Sequence, residues 1–230
     1  MSDTTTLKIL VHANADLSDA LISKAAGGML PDGGLAERIT AEYGVGVELI
    51  HEASAGFVAL HSALANGSAP MLDSGANIVI LSIADDVHAL PDLGATAEEA
   101  VHRSRDALVG AIRLIKQKMG AHILVANHST VDPSGDTYNY QGVSPEPISL
   151  RIQRLDLMLI GVSHDEGISI IDVDRKVAET GAGGNLSAPM RYLPEAAAII
   201  AGETIRVLAD YGFFDDRPLL AQVGAKRKQS

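Results

Sequence analysis

Five short runs of apolar and β-branched residues recur along the chain, at intervals long enough to hold a helix between them. They span Leu7–His12, Val45–Ile50, Asn77–Ile83, Ala121–Ala126 and Ile168–Val173. The last three runs are almost continuously apolar, which is typical of strands buried on both faces of a parallel sheet. The pattern therefore favours a fold in which parallel strands alternate with covering helices.

The stretches between these runs carry the period of amphipathic helices. We predict helices over Gly34–Tyr43 and Pro147–Glu166, and a third that opens on the capping box at Thr96 and ends near Gly120. A last helix follows Pro194 and continues to Leu208. The alternation predicts an α/β fold, a three-layer αβα sandwich around a parallel five-stranded sheet, as in flavodoxin-like proteins.

Length, charge and the absence of cysteine narrow the classes of protein. A chain of 230 residues suits one α/β domain or at most two small ones, and the lack of cysteine excludes disulfides and thiolate chemistry. A formal net charge of −11 argues against nucleic-acid binding. The segment Met1–Thr6 lacks the basic region and the apolar run of a signal peptide, and no apolar run reaches the roughly 20 residues that span a bilayer. We therefore expect a cytoplasmic protein with no membrane or nucleic-acid partner.

Polar residues follow the predicted strands, at the sheet edge where ligands bind in parallel α/β folds. The segments are His12–Asp16, His51–Gly56, Ala84–His88 and Asn127–Ser129, with Arg191–Pro194 before the last helix. The longest irregular stretch, residues 127–146, follows the fourth strand, and loops of that length are often functional. We expect the functional site at this edge.

Three segments resemble the SGNH/GDSL hydrolases: Gly34–Ile39, Val47–Gly56 and Asn77–Asp86. In that family a serine after the first strand is the nucleophile, and a histidine before the last helix is the base. A glycine N–H and an asparagine side chain bind the oxyanion. The resemblance runs from Leu7 to Gly212, which implies one domain over residues 1–212 and a C-terminal extension with a basic tail over residues 213–230.

The resemblance assigns these catalytic positions to residues of different chemistry. Asn14 stands at the nucleophile position, Asp85 at the oxyanion amide and Tyr192 at the base, while Gly56 matches the family glycine. No histidine follows His164. An amide is not a useful nucleophile, a carboxylate repels an oxyanion, and a phenol with a pKa of about 10 is a poor base near neutral pH. We therefore predict that the standard serine–histidine chemistry is lost.

The other polar residues at the strand ends leave two alternatives open. His12, Ser54 and His128, with Asp85, could support ester hydrolysis by a non-standard mechanism. Imidazole and carboxylate groups also bind Zn and Fe, so these histidines with His51 and Asp85 could hold a metal. Their spacing matches no known metal motif, and we predict neither a metal nor a cofactor.

These considerations lead to one functional expectation and two alternatives. We predict that the former active-site cleft binds an acylated or glycosylated small molecule, with Tyr138, Tyr140 and Arg191 as ligand-binding residues. The first alternative is an active acylhydrolase or esterase that uses non-standard residues, and the second is an interaction or scaffold protein. Apolar residues in segment 219–223 could cover a partner subunit and make the protein a homo-oligomer.

Overall fold

The computed structural model describes residues 6–22, 24–25, 28–30, 32–94, 96–130, 148–180, 186–187 and 191–215. The strands are β1 (Leu7–Ala13), β2 (Lys24–Ala25), β3 (Gly28–Met29), β4 (Val47–Ala53), β5 (Ile78–Ser82), β6 (His122–Ala126), β7 (Ser169–Ile171), β8 (Leu186–Ser187) and β9 (Arg191–Tyr192). Five of them form one parallel sheet in the order β4-β1-β5-β6-β7, and β2–β3 and β8–β9 are small antiparallel pairs. The predicted parallel five-stranded sheet is confirmed.

Helices cover both faces of this sheet. They are α1 (Ala15–Leu21), α2 (Leu35–Tyr43), α3 (Phe57–Asn66), α4 (Ala84–Leu93), α5 (Ala97–Met119), α6 (Ile148–Glu166), α7 (Val173–Glu179) and α8 (Pro194–Asp210), with a 3₁₀ turn over Pro70–Asp73. One buried apolar cluster joins the sheet to α3, α4, α5 and α6, and a second joins it to α1, α2, α7 and α8. The molecule is therefore the three-layer αβα sandwich that the sequence predicts. No helix of the described ranges is both long and apolar enough to cross a membrane.

The alternation of side chains along β1 places one polar group on the α3 side of the sheet. Leu7, Ile9 and Val11 join the cluster beneath α1 and α8, whereas Leu10 joins the cluster beneath α3 and α5. His12 shares the face of Leu10 because side chains two residues apart point the same way. The buried imidazole of His12 therefore lies at the carboxyl edge of the sheet, on strand β1.

The second strand differs most from its predicted bounds. The sequence predicts Val45–Ile50, whereas β4 runs to Ala53 and pairs with β1 along its whole length, Ala13 facing Ala53. β4 is an edge strand with a half-exposed, alternating pattern, and the polar residues His51 and Glu52 near its end interrupt the apolar run. His51 therefore lies within the strand and not after it.

The packed domain continues slightly beyond the last helix. Phe214 is buried, and its ring stacks on Tyr43 with centroids 4.1 Å apart. The described chain therefore packs into the core as far as this residue, two positions beyond Gly212.

The start of α5 gives a test of its predicted cap. Thr96 Oγ1 accepts a hydrogen bond from the Glu99 N–H at 3.2 Å, and Gly120 ends the helix in a left-handed conformation. We expect Thr96→Ala to lower the free energy of unfolding by about 1 kcal/mol in urea denaturation, because an N–H at the helix start loses its partner. The control is Ser62→Ala, an exposed site within α3, where a change above about 0.5 kcal/mol would argue against a specific capping effect.

Candidate active-site cleft

The strand order brings the predicted site segments to one edge of the sheet. Because β1 and β5 are neighbours in the middle, Asn14 and Asp85 follow adjacent strands. The segment Ser54–Gly56 lies on one side of them, after β4, and Asn127–Ser129 lies on the other, after β6. The backbone joins two of these segments, since the Ser54 N–H donates to the Ala13 carbonyl at 3.2 Å.

Asn14, at the nucleophile position of the resemblance, is the N-cap of α1. Its side-chain oxygen accepts from the Leu17 N–H at 3.3 Å. Asparagine is among the preferred residues at this position because it satisfies a helix N–H that has no backbone partner. The side chain therefore has a structural role at the start of α1, and its amide offers no activated nucleophile.

Gly56 forms the turn into α3. Its φ of +84° lies in the region that favours glycine, and a Cβ atom there would lie 3.5 Å from Asp86 Oδ2. The Gly56 N–H, the predicted oxyanion donor, donates instead to Ser54 Oγ at 3.1 Å. Ser54 Oγ therefore caps this turn.

The carboxyl group of Asp86 stabilises the turn at Gly56. The carboxylate is 1% exposed and accepts from the Phe57 N–H at 3.0 Å and from Ser104 Oγ at 3.1 Å. The pKa of Asp86 is raised to about 7, by burial first and to a smaller extent by the neighbouring charge of Asp85, against the lowering effect of the two hydrogen bonds. Sequence reasoning missed Ser104, although a polar residue between Ala100 and Leu108 on the apolar face of α5 was the available signal.

Asp85 lies in the first turn of α4, at the predicted oxyanion position. Its Oδ2 atom is buried and has no hydrogen-bond partner. A carboxylate only accepts hydrogen bonds when ionised, whereas an oxyanion needs donors. Asp85 is therefore suited to a ligand group that donates a hydrogen bond or carries a positive charge.

His12 lies beside a carboxylate that sequence reasoning did not single out. Its Nδ1 atom is 3.5 Å from Glu52 Oε1 on the neighbouring strand, and neither ring nitrogen makes a hydrogen bond. Burial lowers the pKa of His12 to about 4, with a further contribution from His51, so the imidazole is neutral at pH 7. The pairing of residue 12 with residue 52 places both side chains on one face of the sheet.

Tyr192 and His128 form a buried pair. The Tyr192 hydroxyl lies 3.2 Å from His128 Nδ1, and both side chains are almost wholly inaccessible. Burial lowers the pKa of His128 to about 4, and the charge of His88 adds to this effect. The pKa of Tyr192 is raised by burial first and then by the charge of Asp16. Tyr192 at the base position is therefore a neutral, hydrogen-bonded core residue.

The three predicted ligand-binding residues lie wholly or partly outside the described part of the chain. Tyr138 and Tyr140 lie outside the described residues, and only the backbone of Arg191 is described, in β9. Within the part of the chain that the structure describes, no group of three His, Asp or Glu side chains is arranged to hold a metal ion.

Comparison with known proteins gives matches among solved structures. No protein-family model and no curated protein matches the chain. A member of the lipolytic G-D-S-L family from Veillonella parvula matches with a TM-score of 0.59 and 13% identity, over 88% of this chain and 98% of that one. A lipase/acylhydrolase from Enterococcus faecalis matches with a TM-score of 0.62 and 17% identity, over 88% and 95% of the two chains. The acetylxylan esterase Axe2 from Geobacillus stearothermophilus matches with a TM-score of 0.63 and 13% identity, over 88% of this chain and 94% of that one.

The chain has the fold of the SGNH/GDSL hydrolases. Two further matches are catalytic mutants of Axe2, one in which a serine and one in which a histidine is replaced by alanine. At identities of 13% and 17%, the likeness establishes the SGNH/GDSL fold and leaves activity to be argued from the residues of this chain.

Proposed function

We propose that the cleft at the carboxyl edge of the sheet binds an acylated or glycosylated small molecule without serine–histidine hydrolysis. The observation that carries the proposal is that the residues at the nucleophile and base positions of the resemblance make hydrogen bonds within the fold. Asn14 caps α1, and Tyr192 is buried against His128. Neither side chain provides the activated hydroxyl or the accessible imidazole that acyl transfer by a serine–histidine pair requires.

Asp85 supports the same conclusion from electrostatics. Acyl transfer develops negative charge on the carbonyl oxygen, and catalysis needs donors directed at that atom. A carboxylate at this position raises the barrier, whereas it stabilises a bound hydroxyl or N–H group of a ligand. Sugar hydroxyls and amide N–H groups are donors of this kind.

Ester hydrolysis by non-standard residues is the second candidate function. The contact of His12 with Glu52 favours it, because a carboxylate beside an imidazole can orient it as a base. Ser54 follows Glu52 by two residues and is the nearest hydroxyl in sequence. For catalysis its Oγ would have to turn from the Gly56 N–H toward His12 Nε2.

A fluorophosphonate probe and a panel of acyl p-nitrophenyl esters, with and without chelator, separate the two candidates. We expect the purified protein to remain unlabelled and to turn over none of the esters. Labelling that Ser54→Ala abolishes and that the control Ser68→Ala retains would establish the hydrolase instead. Ser68 is a suitable control because it is an exposed serine after α3.

Thermal-shift screening tests binding itself. A ligand that binds only the folded protein raises its Tm with concentration, and we expect hits among glycosylated or acylated metabolites. Asp85→Ala should weaken those hits while leaving the fold intact, because Asp85 Oδ2 has no protein partner to lose. Asp73→Ala, at an exposed carboxylate in the 3₁₀ turn, is the matched control. A panel without hits, or hits indifferent to Asp85→Ala, would contradict the proposal.

A further inference from the structure

The charged side chains at the carboxyl edge of the sheet are acidic. Asp16 lies in the first turn of α1, Asp85 lies in the first turn of α4, and Glu52 lies near the end of β4. The segments that directly follow β1, β4, β5 and β6 contain no lysine or arginine. They are residues 14–18, 54–57, 83–88 and 127–130. These segments therefore attract a ligand group with a positive charge and repel one with a negative charge.

The helix starts at this edge do not favour an anion either. The first N–H groups of a helix bind anionic ligands where no side chain of the protein itself accepts from them. Here the side chains of Asn14, Ser82 and Asp86 accept from N–H groups at the starts of α1, α4 and α3, at 3.3, 3.1 and 3.0 Å. Acceptors of the chain thus occupy the places where a phosphate or carboxylate group would bind.

Asp85 has a carboxylate oxygen that no group of the described chain binds. Its Oδ2 atom is buried and makes no hydrogen bond, whereas the neighbouring Asp86 accepts from two donors. A neutral donor would satisfy this oxygen with a hydrogen bond alone. A positively charged donor adds Coulomb attraction, which is strong where water is excluded. The environment of Asp85 therefore favours a cationic group of the ligand over a hydroxyl.

His12 provides a second acceptor without a partner. Its side chain is 7% exposed, and neither ring nitrogen makes a hydrogen bond. The carboxylate of Glu52, 3.5 Å from Nδ1, favours the tautomer with its proton on Nδ1, which leaves Nε2 as an acceptor. His12 pairs with Leu81 of β5, the strand that leads into α4, and α4 packs on the face of the sheet to which His12 belongs. His12 and Asp85 therefore belong to the same side of the sheet, on adjacent strand ends.

An ammonium group matches this set of acceptors. It carries a positive charge and three N–H donors and has no acceptor, whereas a hydroxyl has one donor and no charge. We propose that the ligand of the cleft is an amino sugar, or a molecule that carries one, whose protonated amino group binds Asp85 and His12. The inference rests on the binding function proposed above and narrows its ligand from acylated or glycosylated molecules to cationic glycosylated ones.

Isothermal titration calorimetry with matched sugars at pH 6 tests the inference. The probes are glucosamine, galactosamine and mannosamine, whose amino groups are protonated at this pH, and the neutral parent sugars glucose, galactose and mannose. We expect at least one amino sugar to bind about tenfold more tightly than its parent, because a hydrogen bond between two charged groups exceeds a neutral one by about this factor. Glucose 6-phosphate, which adds an anionic group to the same ring, should bind no more tightly than glucose.

Two substitutions locate the amino group. Asp85→Asn keeps the shape of the side chain and removes its charge, so it should abolish the preference for the amino sugar. His12→Leu should reduce that preference, and His12→Gln, which retains an acceptor, should reduce it less. Asp73→Asn, at an exposed carboxylate, should retain it in full and thereby exclude a general attraction of cations to an acidic protein. Circular dichroism and Tm establish that the variants fold.

The results separate this inference from the binding function on which it rests. Amino sugars that do not bind, or that bind no more tightly than their parent sugars, would overturn the inference, and so would a preference that survives Asp85→Asn. Neutral acylated or glycosylated hits that Asp85→Ala weakens would then leave the binding function standing. A screen in which neither the amino sugars nor any neutral molecule binds would overturn both.

Discussion

Asp86→Ala is expected to destabilise the protein by about 3 kcal/mol, because each of the two buried donors that it leaves unpaired costs about 1–3 kcal/mol. The donors are the Phe57 N–H and the Ser104 hydroxyl, which both bind this carboxyl group. Asp86 thereby connects the starts of α3 and α4 to the middle of α5. Urea denaturation at pH 5 measures the loss while the wild-type carboxyl is still protonated.

Asp85→Ala is the matched control for this change. It removes a carboxylate from the same helical turn, and Asp85 Oδ2 makes no hydrogen bond. We expect its effect to stay below about 1 kcal/mol, the size of a charge effect at a helix N-terminus. Equal losses in the two variants would mean that the hydrogen bonds of Asp86 do not hold the turn at Gly56.

The sheet was predictable from sequence where burial is complete. All five residues of β5 are buried, and β6 is nearly so, so the apolar runs report the strands directly. The edge strand β4 was misplaced because exposure on one face breaks the run before the strand ends. Short helices such as α1 and α7, each of seven residues, offer too few turns for a period to be recognised.

The sequence predicts at which edge of the sheet the candidate site lies, but not which of its side chains contact one another. Parallel topology alone brings Asn14 and Asp85 to one edge. The contact between His128 and Tyr192 joins residues 64 positions apart, and it depends on how the chain enters α8. Glu52 and His12 meet because β4 pairs with β1, which strand-length patterns do not specify. No local sequence signal encodes either pairing.

The ionisation of Asp86 should contribute strongly to the pH dependence of stability. Its pKa is about 7 in the folded protein against 3.8 in the unfolded chain, so the folded state retains a proton that the unfolded state releases. The stabilisation is complete below pH 3.8 and is lost as the pH rises through 7. The total change is about 4 kcal/mol, at about 1.4 kcal/mol for each pKa unit.

Opposing groups hide this slope in the wild-type protein. Asp156, with a pKa of about 7, acts in the same direction as Asp86. His12 and His128 have pKa values of about 4 in the folded protein, below the ordinary 6.5. They act in the opposite direction, because the unfolded chain binds their protons at a higher pH than the folded protein does. Between pH 4 and pH 6.5 the two pairs offset one another. We therefore expect a flat wild-type profile in that range and a decline above it.

Asp86→Asn should change the slope of the unfolding free energy against pH, because it removes one of the groups that stabilise the protein at low pH. Relative to wild type, the unfolding free energy of the variant should rise by about 1.4 kcal/mol per pH unit between pH 4 and pH 7. His12→Gln should tilt it the other way between pH 4 and pH 6.5. Asp73→Asn, at an exposed carboxylate, is the control. Urea titrations at half-unit intervals measure all four proteins, and an Asp86→Asn profile parallel to wild type would show that this carboxyl group ionises normally despite its burial.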